Sequence, residues 1–211
     1  MRRLPVYLVL DTSGSMSGEP IEAVKNGVQA LVSALRSDPY ALETVHLSVI
    51  TFGSQAAQTV PLTELMAFQP PELHASGATA LGEALALTAE RIDAEVQKTT
   101  ADSKGDWKPL VFLMTDGMPT DDLQRGLQRF HGAKTGMVVA CAAGAGADTA
   151  VLKKITESVV QLDTADSSAI KAFFKWVSAS VSVGSQKVDG GAEVKNIKEL
   201  PPPPAEISVV V

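Results

Sequence analysis

Short apolar runs alternate with amphipathic helical segments along most of this chain. The runs have the length and composition of buried strands, and they span residues 5–10, 45–52, 109–115, 137–142 and 159–163. Between them, apolar residues recur at helical spacing over about residues 20–36, 80–97, 120–134, 148–155 and 167–183. Strands separated by helices predict a doubly wound α/β fold, with a mostly parallel sheet and helices on both faces.

One further strand is the predicted exception to the parallel arrangement. Residues 56–62 have a strand-like pattern, and only Gly53, Ser54 and Gln55 separate them from the preceding strand. So short a connection favours a hairpin. We therefore expect a six-stranded sheet with one antiparallel edge strand.

The end of the chain does not continue the alternation of strands and helices. We expect one domain over residues 1–183 and a linker or C-terminal arm over residues 184–211, which contains the polyproline run 201–204. Residues 206–211 have the composition of a strand. Two interpretations stay open: a surface tail without a role, or a docking strand on this domain or on another molecule.

Charge and composition argue against several classes of function. The chain has 211 residues, a net charge of −6 and a pI near 5.1, which disfavours binding to nucleic acid or to an anionic membrane surface. No apolar run reaches the roughly 18 residues of a membrane span, and the start lacks a signal-peptide core. The single cysteine, Cys141, fits a buried hydrophobe in a reducing compartment, so we expect a cytoplasmic protein.

Oxygen-bearing side chains occur in three predicted segments that meet at one edge of the sheet, the edge formed by the carboxyl ends of its strands. Asp11, Ser13 and Ser15 directly follow the first strand. Asp116 follows a later strand, and Thr79 opens a helix. Ligands of open α/β sheets bind beyond the carboxyl ends of the strands, and hard oxygen donors suit Mg²⁺ or, alternatively, Ca²⁺ or Mn²⁺. The sequence therefore predicts a divalent cation site at this edge.

The balance of hydroxyls and carboxylates predicts what such an ion does. Mg²⁺ usually keeps several waters and binds one or two protein carboxylates. Hydroxyl ligands leave the ion electrophilic, so an open position would accept a carboxylate from another molecule. We therefore expect a non-catalytic, metal-dependent interaction module whose protein partners present Asp or Glu. Met16 and Met118 are candidate apolar contacts at its rim.

This constellation resembles the metal-ion-dependent adhesion site of von Willebrand factor type A domains. The resemblance rests on the Asp-x-Ser-x-Ser turn at 11–15, on Thr79 and on Asp116, and it covers about residues 5–183. It implies a Rossmann-like fold. It also implies direct ligation by the three hydroxyls, with the two aspartates bound to the ion directly or through water.

Three segments resemble one bacterial group within that family. Residues 8–16, 18–21 and 115–121 are similar to the TerY-type proteins of tellurium resistance. That resemblance implies a single-domain cytosolic protein of a stress-response system. It also implies work beside a kinase-like protein and a PP2C-type phosphatase.

An enzyme is the alternative to the binding module. Asp11 at a strand end could act as the nucleophile of a Mg²⁺-dependent phosphohydrolase or phosphotransferase, with Asp116 as a second carboxylate. Ser13 stands where phosphatases of the haloacid-dehalogenase type carry a second acid. No basic residue for a phosphoryl group is evident near these motifs, which disfavours the enzyme.

Each of these polar residues also has a purely structural interpretation. The turn at Asp11 and the acid Asp116 could satisfy backbone donors, and Thr79 could cap a helix. We interpret Thr120 as the N-cap of the helix 120–134. The sequence lacks a His or Cys cluster for zinc, a Gly-x-Ser-x-Gly motif for a serine hydrolase and a complete dinucleotide fingerprint.

Overall fold

The computed structural model describes residues 2–210, which form a seven-stranded sheet. The strands are β1 (Leu4–Asp11), β2 (Val45–Phe52), β3 (Ala56–Glu64), β4 (Leu110–Thr115), β5 (Val138–Ala143), β6 (Val159–Leu162) and β7 (Ile207–Val209). Their order is β3-β2-β1-β4-β5-β6-β7. The edge strands β3 and β7 are antiparallel to their neighbours, and the other pairs are parallel. The predicted α/β fold is confirmed, with one strand more than the six expected.

Helices cover both faces of the sheet. They are α1 (Glu19–Arg36), α2 (Pro39–Thr44), α3 (Leu81–Glu95), α4 (Leu123–His131), α5 (Thr149–Leu152) and α6 (Ser167–Asp189). The helices α1, α2 and α6 pack on one face, and α3, α4 and α5 pack on the other. Within residues 2–210, no helix has the length and hydropathy needed to cross a bilayer.

β1 is an interior strand, the third of seven in the sheet order, and it is buried along its whole length. Leu8 and Leu10 face the layer of α1 and α6, whereas Tyr7 and Val9 face the layer of α3 and α4. A strand buried on both faces has a continuous apolar sequence, which is why its signal was clear. Because Asp11 ends this strand, the fold delivers its carboxylate to the middle of one sheet edge.

Two glycines bring α3 and α4 into backbone contact. A Cβ atom on Gly126 would lie 2.2 Å from the carbonyl oxygen of Gly82. A Cβ atom on Gly82 would lie 2.4 Å from the carbonyl oxygen of Asp122. Neither position can carry a side chain without moving a helix. The contact fixes the first turn of α3 beside the first turn of α4, close to Thr79.

The last helix is longer than the sequence predicts. The pattern predicts a helix end near residue 183, whereas α6 continues to Asp189. Gly184 does not end the helix, because it serves close packing: its Cβ would lie 3.2 Å from Leu110 Cδ1 and 3.5 Å from Leu4 Cδ2. Val188 in the final turn is buried as well. Burial of this turn outweighs the cost of a glycine in a helix, about 1 kcal/mol.

The segment after α6 returns along the domain and ends as a strand. Val194 and Leu200 are buried, and the indole Nε1 of Trp176 donates a hydrogen bond to the carbonyl of Pro201 at 2.8 Å. β7 then pairs with β6, and Ile207 is buried. Of the interpretations left open above, the structure shows a strand docked on this domain. Met1 and Val211, which the expected ranges 1–183 and 184–211 include, lie outside the described residues.

We expect Gly126→Ala to lower the free energy of unfolding by about 1–3 kcal/mol, because the new methyl group would press on backbone that cannot turn away. Urea denaturation followed by far-UV circular dichroism measures the change. Gly132→Ala, at the end of the same helix, is the matched control, since its nearest contact would be 3.4 Å. Its effect should stay within about 0.5 kcal/mol. Equal losses in the two variants would contradict the packing argument.

We expect deletion of residues 200–211 to lower the free energy of unfolding by about 3–5 kcal/mol, because Leu200 and Ile207 leave the core and Trp176 loses its acceptor. Chemical denaturation gives the stability, and the emission of Trp176 should shift to the red. Pro202→Ala is the control, because Pro202 is exposed. An unchanged transition in the truncated chain would show that the docked strand contributes nothing.

Candidate metal centre

The predicted site residues meet at the carboxyl ends of β1 and β4, which are neighbours in the sheet. The helix after β1 packs on one face, and the helix after β4 packs on the other. This is the point where the winding of the sheet changes direction. Open α/β sheets bind their ligands at such a point.

The carboxylate of Asp11 is buried, and each of its oxygens accepts a hydrogen bond. Only 1% of the residue is exposed. Its Oδ1 accepts a hydrogen bond from the backbone N–H of Ser13 at 2.8 Å, and its Oδ2 accepts one from the hydroxyl of Thr115 at 2.5 Å. The first bond tightens the turn after β1, and the second ties that turn to β4. Thr115 was not among the predicted site residues.

A chain of short oxygen contacts links three more predicted residues. Ser13 Oγ lies 3.0 Å from Ser15 Oγ, and Ser15 Oγ donates to Asp116 Oδ1 at 2.7 Å. Ser13 is buried, whereas Ser15 is exposed and Asp116 is half-buried. The oxygens therefore form a line from the interior to the surface of the sheet edge.

Thr79 approaches the same place from the loop before α3. A Cβ atom on Gly117 would lie 3.5 Å from Thr79 Oγ1 and 3.9 Å from Ser15 Oγ, so both hydroxyls border one small space. Thr79 does not cap the helix, because the N-cap position is Ala80. Its hydroxyl makes no hydrogen bond within residues 2–210. The structure thus brings all five predicted side chains to one edge.

Thr120 has a different role from the predicted one. The N-cap of α4 is Asp122, whose side chain accepts from Arg125 N at 3.1 Å. Thr120 instead pairs with Thr79: Thr79 N donates to Thr120 Oγ1, and Thr120 N donates to the carbonyl of Thr79, each at 3.0 Å. The prediction was wrong because a tertiary partner for Thr120 lies far away in the sequence.

Asp121 holds the start of α3 from the neighbouring loop. Its two carboxylate oxygens accept from the backbone N–H groups of Gly82 at 2.9 Å and Glu83 at 2.7 Å. An acid at a helix N-terminus satisfies free donors and favours the helix dipole. The contact between α3 and α4 therefore also fixes the position of Thr79.

Backbone contacts join the turn after β1 to the loop before α3. Gly14 N donates to the carbonyl of Gly77 at 3.0 Å, and Ser76 N donates to the carbonyl of Thr12 at 2.8 Å. Gly77 has a φ of +77°, and a Cβ there would lie 2.1 Å from Ser54 Oγ. Only glycine fits this conformation and this space. No spacing rule in the sequence indicated these contacts.

Burial and charge act together on Asp116. Desolvation raises the pKa of its carboxyl group, the hydrogen bond from Ser15 lowers it, and the neighbouring charge of Asp11 raises it. The net direction is upward. The ionised form of Asp116 is therefore less stable than that of an exposed aspartate, since its environment offers little positive charge.

The charged residues of the loops at this edge are all acidic. We define the site-edge loops as residues 11–20, 53–55, 76–83, 116–124, 144–149 and 163–168. They carry nine of the chain's 24 acidic residues and none of its 18 lysines and arginines or its three histidines. The nine are Asp11, Glu19, Glu83, Asp116, Asp121, Asp122, Asp148, Asp163 and Asp166. The whole edge therefore attracts cations.

Other candidate groups contribute little to this centre. Within the described part of the chain, no three His, Cys, Asp or Glu residues are grouped as a metal site. Cys141 is buried, and its burial raises the pKa of the thiol. Met16 is fully buried, whereas 51% of Met118 is exposed. Of the two methionines, only Met118 is available at the rim.

Comparison with known proteins identifies the family. The signature of the von Willebrand factor type A domain matches residues 6–175. The uncharacterized protein sll0103 of Synechocystis is 37% identical over 123 residues, which are 55% of this chain and 26% of that protein. The chain thus spans about a quarter of the length of this curated relative.

Solved structures share the fold at low sequence identity. Proximal thread matrix protein 1 from the mussel byssus, with a zinc-occupied MIDAS motif, has a TM-score of 0.61 and 19% identity, over 84% of this chain and 48% of that one. BatB from Bacteroides thetaiotaomicron has a TM-score of 0.54 and 18% identity, over 83% of this chain and 97% of that one. The chain belongs to the von Willebrand factor type A domain family.

Proposed function

We propose that this domain is a non-catalytic, metal-dependent protein-interaction module. A divalent cation would be held at the sheet edge and would take a carboxylate from a protein partner. The proposed ligands are Asp11, Ser13, Ser15, Thr79 and Asp116. The observation that carries the proposal is the chain of short oxygen contacts from Ser13 to Asp116, with the Thr79 hydroxyl on the border of the same space.

The donor set fits a hard cation. It consists of hydroxyl and carboxylate oxygens, which suit Mg²⁺, Ca²⁺ or Mn²⁺. We propose Mg²⁺, because the set has few carboxylates and the exposed side at Ser15 leaves room for retained waters. The mussel relative holds zinc in its MIDAS motif, which supports a divalent ion and does not select magnesium. Ser13, Ser15 and Thr79 would bind directly.

The charge of the site-edge loops favours one kind of partner. Nine carboxylates repel an acidic protein, and only the bound ion attracts a carboxylate to this edge. We therefore propose a partner that presents one Asp or Glu within an otherwise basic surface. Exposed Met118, next to the oxygen donors, would contact an apolar residue beside that acid. Such a partner satisfies the ion and the surrounding acids together.

The geometry does not favour the enzyme alternative. A nucleophilic Asp11 needs access to an incoming phosphoryl group, but the residue is 1% exposed and each of its oxygens already accepts a hydrogen bond, from Ser13 or from Thr115. Phosphoryl transfer also needs positive charge for the transferred group. The site-edge loops supply no lysine, arginine or histidine. We therefore assign Asp11 a positioning role and propose no catalysis.

The biological setting is a proposal from sequence resemblance. Residues 8–16 and 115–121 resemble the TerY-type group, which supports a tellurium-resistance or stress-response system of bacteria. In that setting the partners would be a kinase-like protein and a PP2C-type phosphatase. A cytoplasmic location suits the buried thiol of Cys141.

We expect the double variant Ser13→Ala, Ser15→Ala to weaken Mg²⁺ binding by about tenfold or more, because loss of residues behind a ligand already costs 10- to 100-fold. Isothermal titration calorimetry measures the affinity. Ser17→Ala is the matched control, since Ser17 is an exposed serine just beyond the turn. Wild-type affinity in the double variant would remove these two residues from the ligand set.

We expect EDTA to abolish capture of the partner by the immobilised domain, because the carboxylate then has no ion to bind. The experiment is a pull-down in Mg²⁺ and in EDTA, with Asp11→Asn beside the wild type. Far-UV circular dichroism checks that the domain stays folded in each condition. A partner that binds equally with and without the metal would contradict the proposed function.

A further inference from the structure

A cationic cavity lies at the opposite edge of the sheet, where the strands begin. Its volume is about 490 Å³. Four basic side chains line it, Arg2, Lys98, Lys108 and Lys134, together with three acids, Asp93, Asp106 and Glu193. They come from the segments before β1, after α3, before β4 and after α4. The site-edge loops contain no basic residue, whereas in this cavity the basic side chains outnumber the acidic ones.

Arg2 is held in place by three contacts. Its guanidinium carbon lies 3.6 Å from the ring centre of Trp107. Nε donates to the carbonyl of Gly105 at 2.6 Å, and Nη2 donates to the carbonyl of Asp106 at 3.2 Å. Nη1 makes no hydrogen bond within residues 2–210. A guanidinium ordered in advance loses little entropy when an anion binds.

The most buried acid on the cavity wall is already neutralised. Asp106 accepts from Arg3 Nε at 2.9 Å and from Arg3 Nη2 at 2.5 Å. It also accepts from the backbone N–H of Gln97 at 2.7 Å. This acid therefore does not cancel the charge of Arg2.

The exposed lysines of the cavity have weak partners or none. Lys98 Nζ lies 4.0 Å from Asp93, and Lys108 Nζ lies 3.9 Å from Glu193. Exposed pairs of this kind contribute at most about 1 kcal/mol. Lys134 forms no ion pair with a described residue. The three ammonium groups can therefore turn toward a ligand at little cost.

Helix ends explain some of these lysines separately. Lys98 and Lys134 follow the C-termini of α3 and α4, where the helix dipole favours cations. The dipole does not explain why Arg2 and Lys108, from two other segments, meet them around one cavity. The convergence is a property of the tertiary fold.

An apolar wall completes the cavity. Ile92 and Val96, at the end of α3, line it beside the cations. The volume falls within the roughly 300–1,000 Å³ of small-molecule sites. We propose that this cavity binds a small organic anion, with a carboxylate or phosphate group near Arg2 and Lys134 and a hydrocarbon body on the apolar wall.

The test is calorimetric titration of the full chain from which metal has been stripped with EDTA and the EDTA then dialysed away. The metal centre is then empty, and no other carboxylate competes for the cavity. The probes are butyl phosphate, hexanoate and inorganic phosphate. We expect butyl phosphate or hexanoate to bind more tightly than inorganic phosphate, and the better of the two identifies the charged group. The emission of Trp107 should change on binding because its ring stacks on Arg2. Absence of binding by both organic probes at millimolar concentration would overturn the proposal.

Charge-removing variants locate the bound probe. Lys98→Gln with Lys134→Gln should weaken binding by about tenfold or more, because contacts to charged groups are lost. Both lysines are exposed, so the fold should tolerate the change. Lys175→Gln, an exposed lysine on α6, should leave the affinity unchanged. Equal affinity in the double variant and in wild type would overturn the assigned site.

Discussion

The buried carboxylate of Asp11 is the interaction on which the candidate metal centre depends. A carboxylate that is only 1% exposed must have its oxygens satisfied, and the turn after β1 and the hydroxyl of Thr115 do this. One oxygen shapes the turn that carries Ser13 and Ser15. The other joins that turn to β4, from which Asp116 follows. This carboxylate is the buried link between the two halves of the centre, beside the exposed hydrogen bond from Ser15 to Asp116.

The acidic loops around the centre act differently on a cation and on the carboxylate of a partner. The charged residues of the loops at this edge are all acidic, which favours the approach of a cation. The same charges repel the carboxylate of a partner unless an ion is bound. Recognition through the proposed metal centre would therefore be conditional on metal occupancy, in contrast to recognition through a basic patch.

Features with a local signal were predictable from sequence, and features made by distant contacts were not. The strands, the main helices and the five oxygen-bearing residues follow from periodicity and from positions at strand ends. Thr115 was missed because its partner Asp11 lies 104 residues away. Thr120 and Asp122 exchanged roles for a similar reason, since Thr79 selects Thr120 across a gap of 41 residues. The extension of α6 was missed because a glycine at position 184 is typical of a helix end. Its packing against Leu4 and Leu110 of the sheet is visible only in the structure.

Gly82 and Gly126 allow the backbones of α3 and α4 to contact each other directly. Peptide groups are planar and cannot change rotamer as side chains do. The distance between these two helices is therefore fixed by backbone contact, and no side chain can adjust it. Thr79 lies two residues before α3, and its partner Thr120 lies three residues before α4, so the position of Thr79 depends on that spacing. In the proposed metal centre, the room that Thr79 leaves for an ion would then depend on the backbone. Surface substitutions would not change it as long as Gly82 and Gly126 stay glycine.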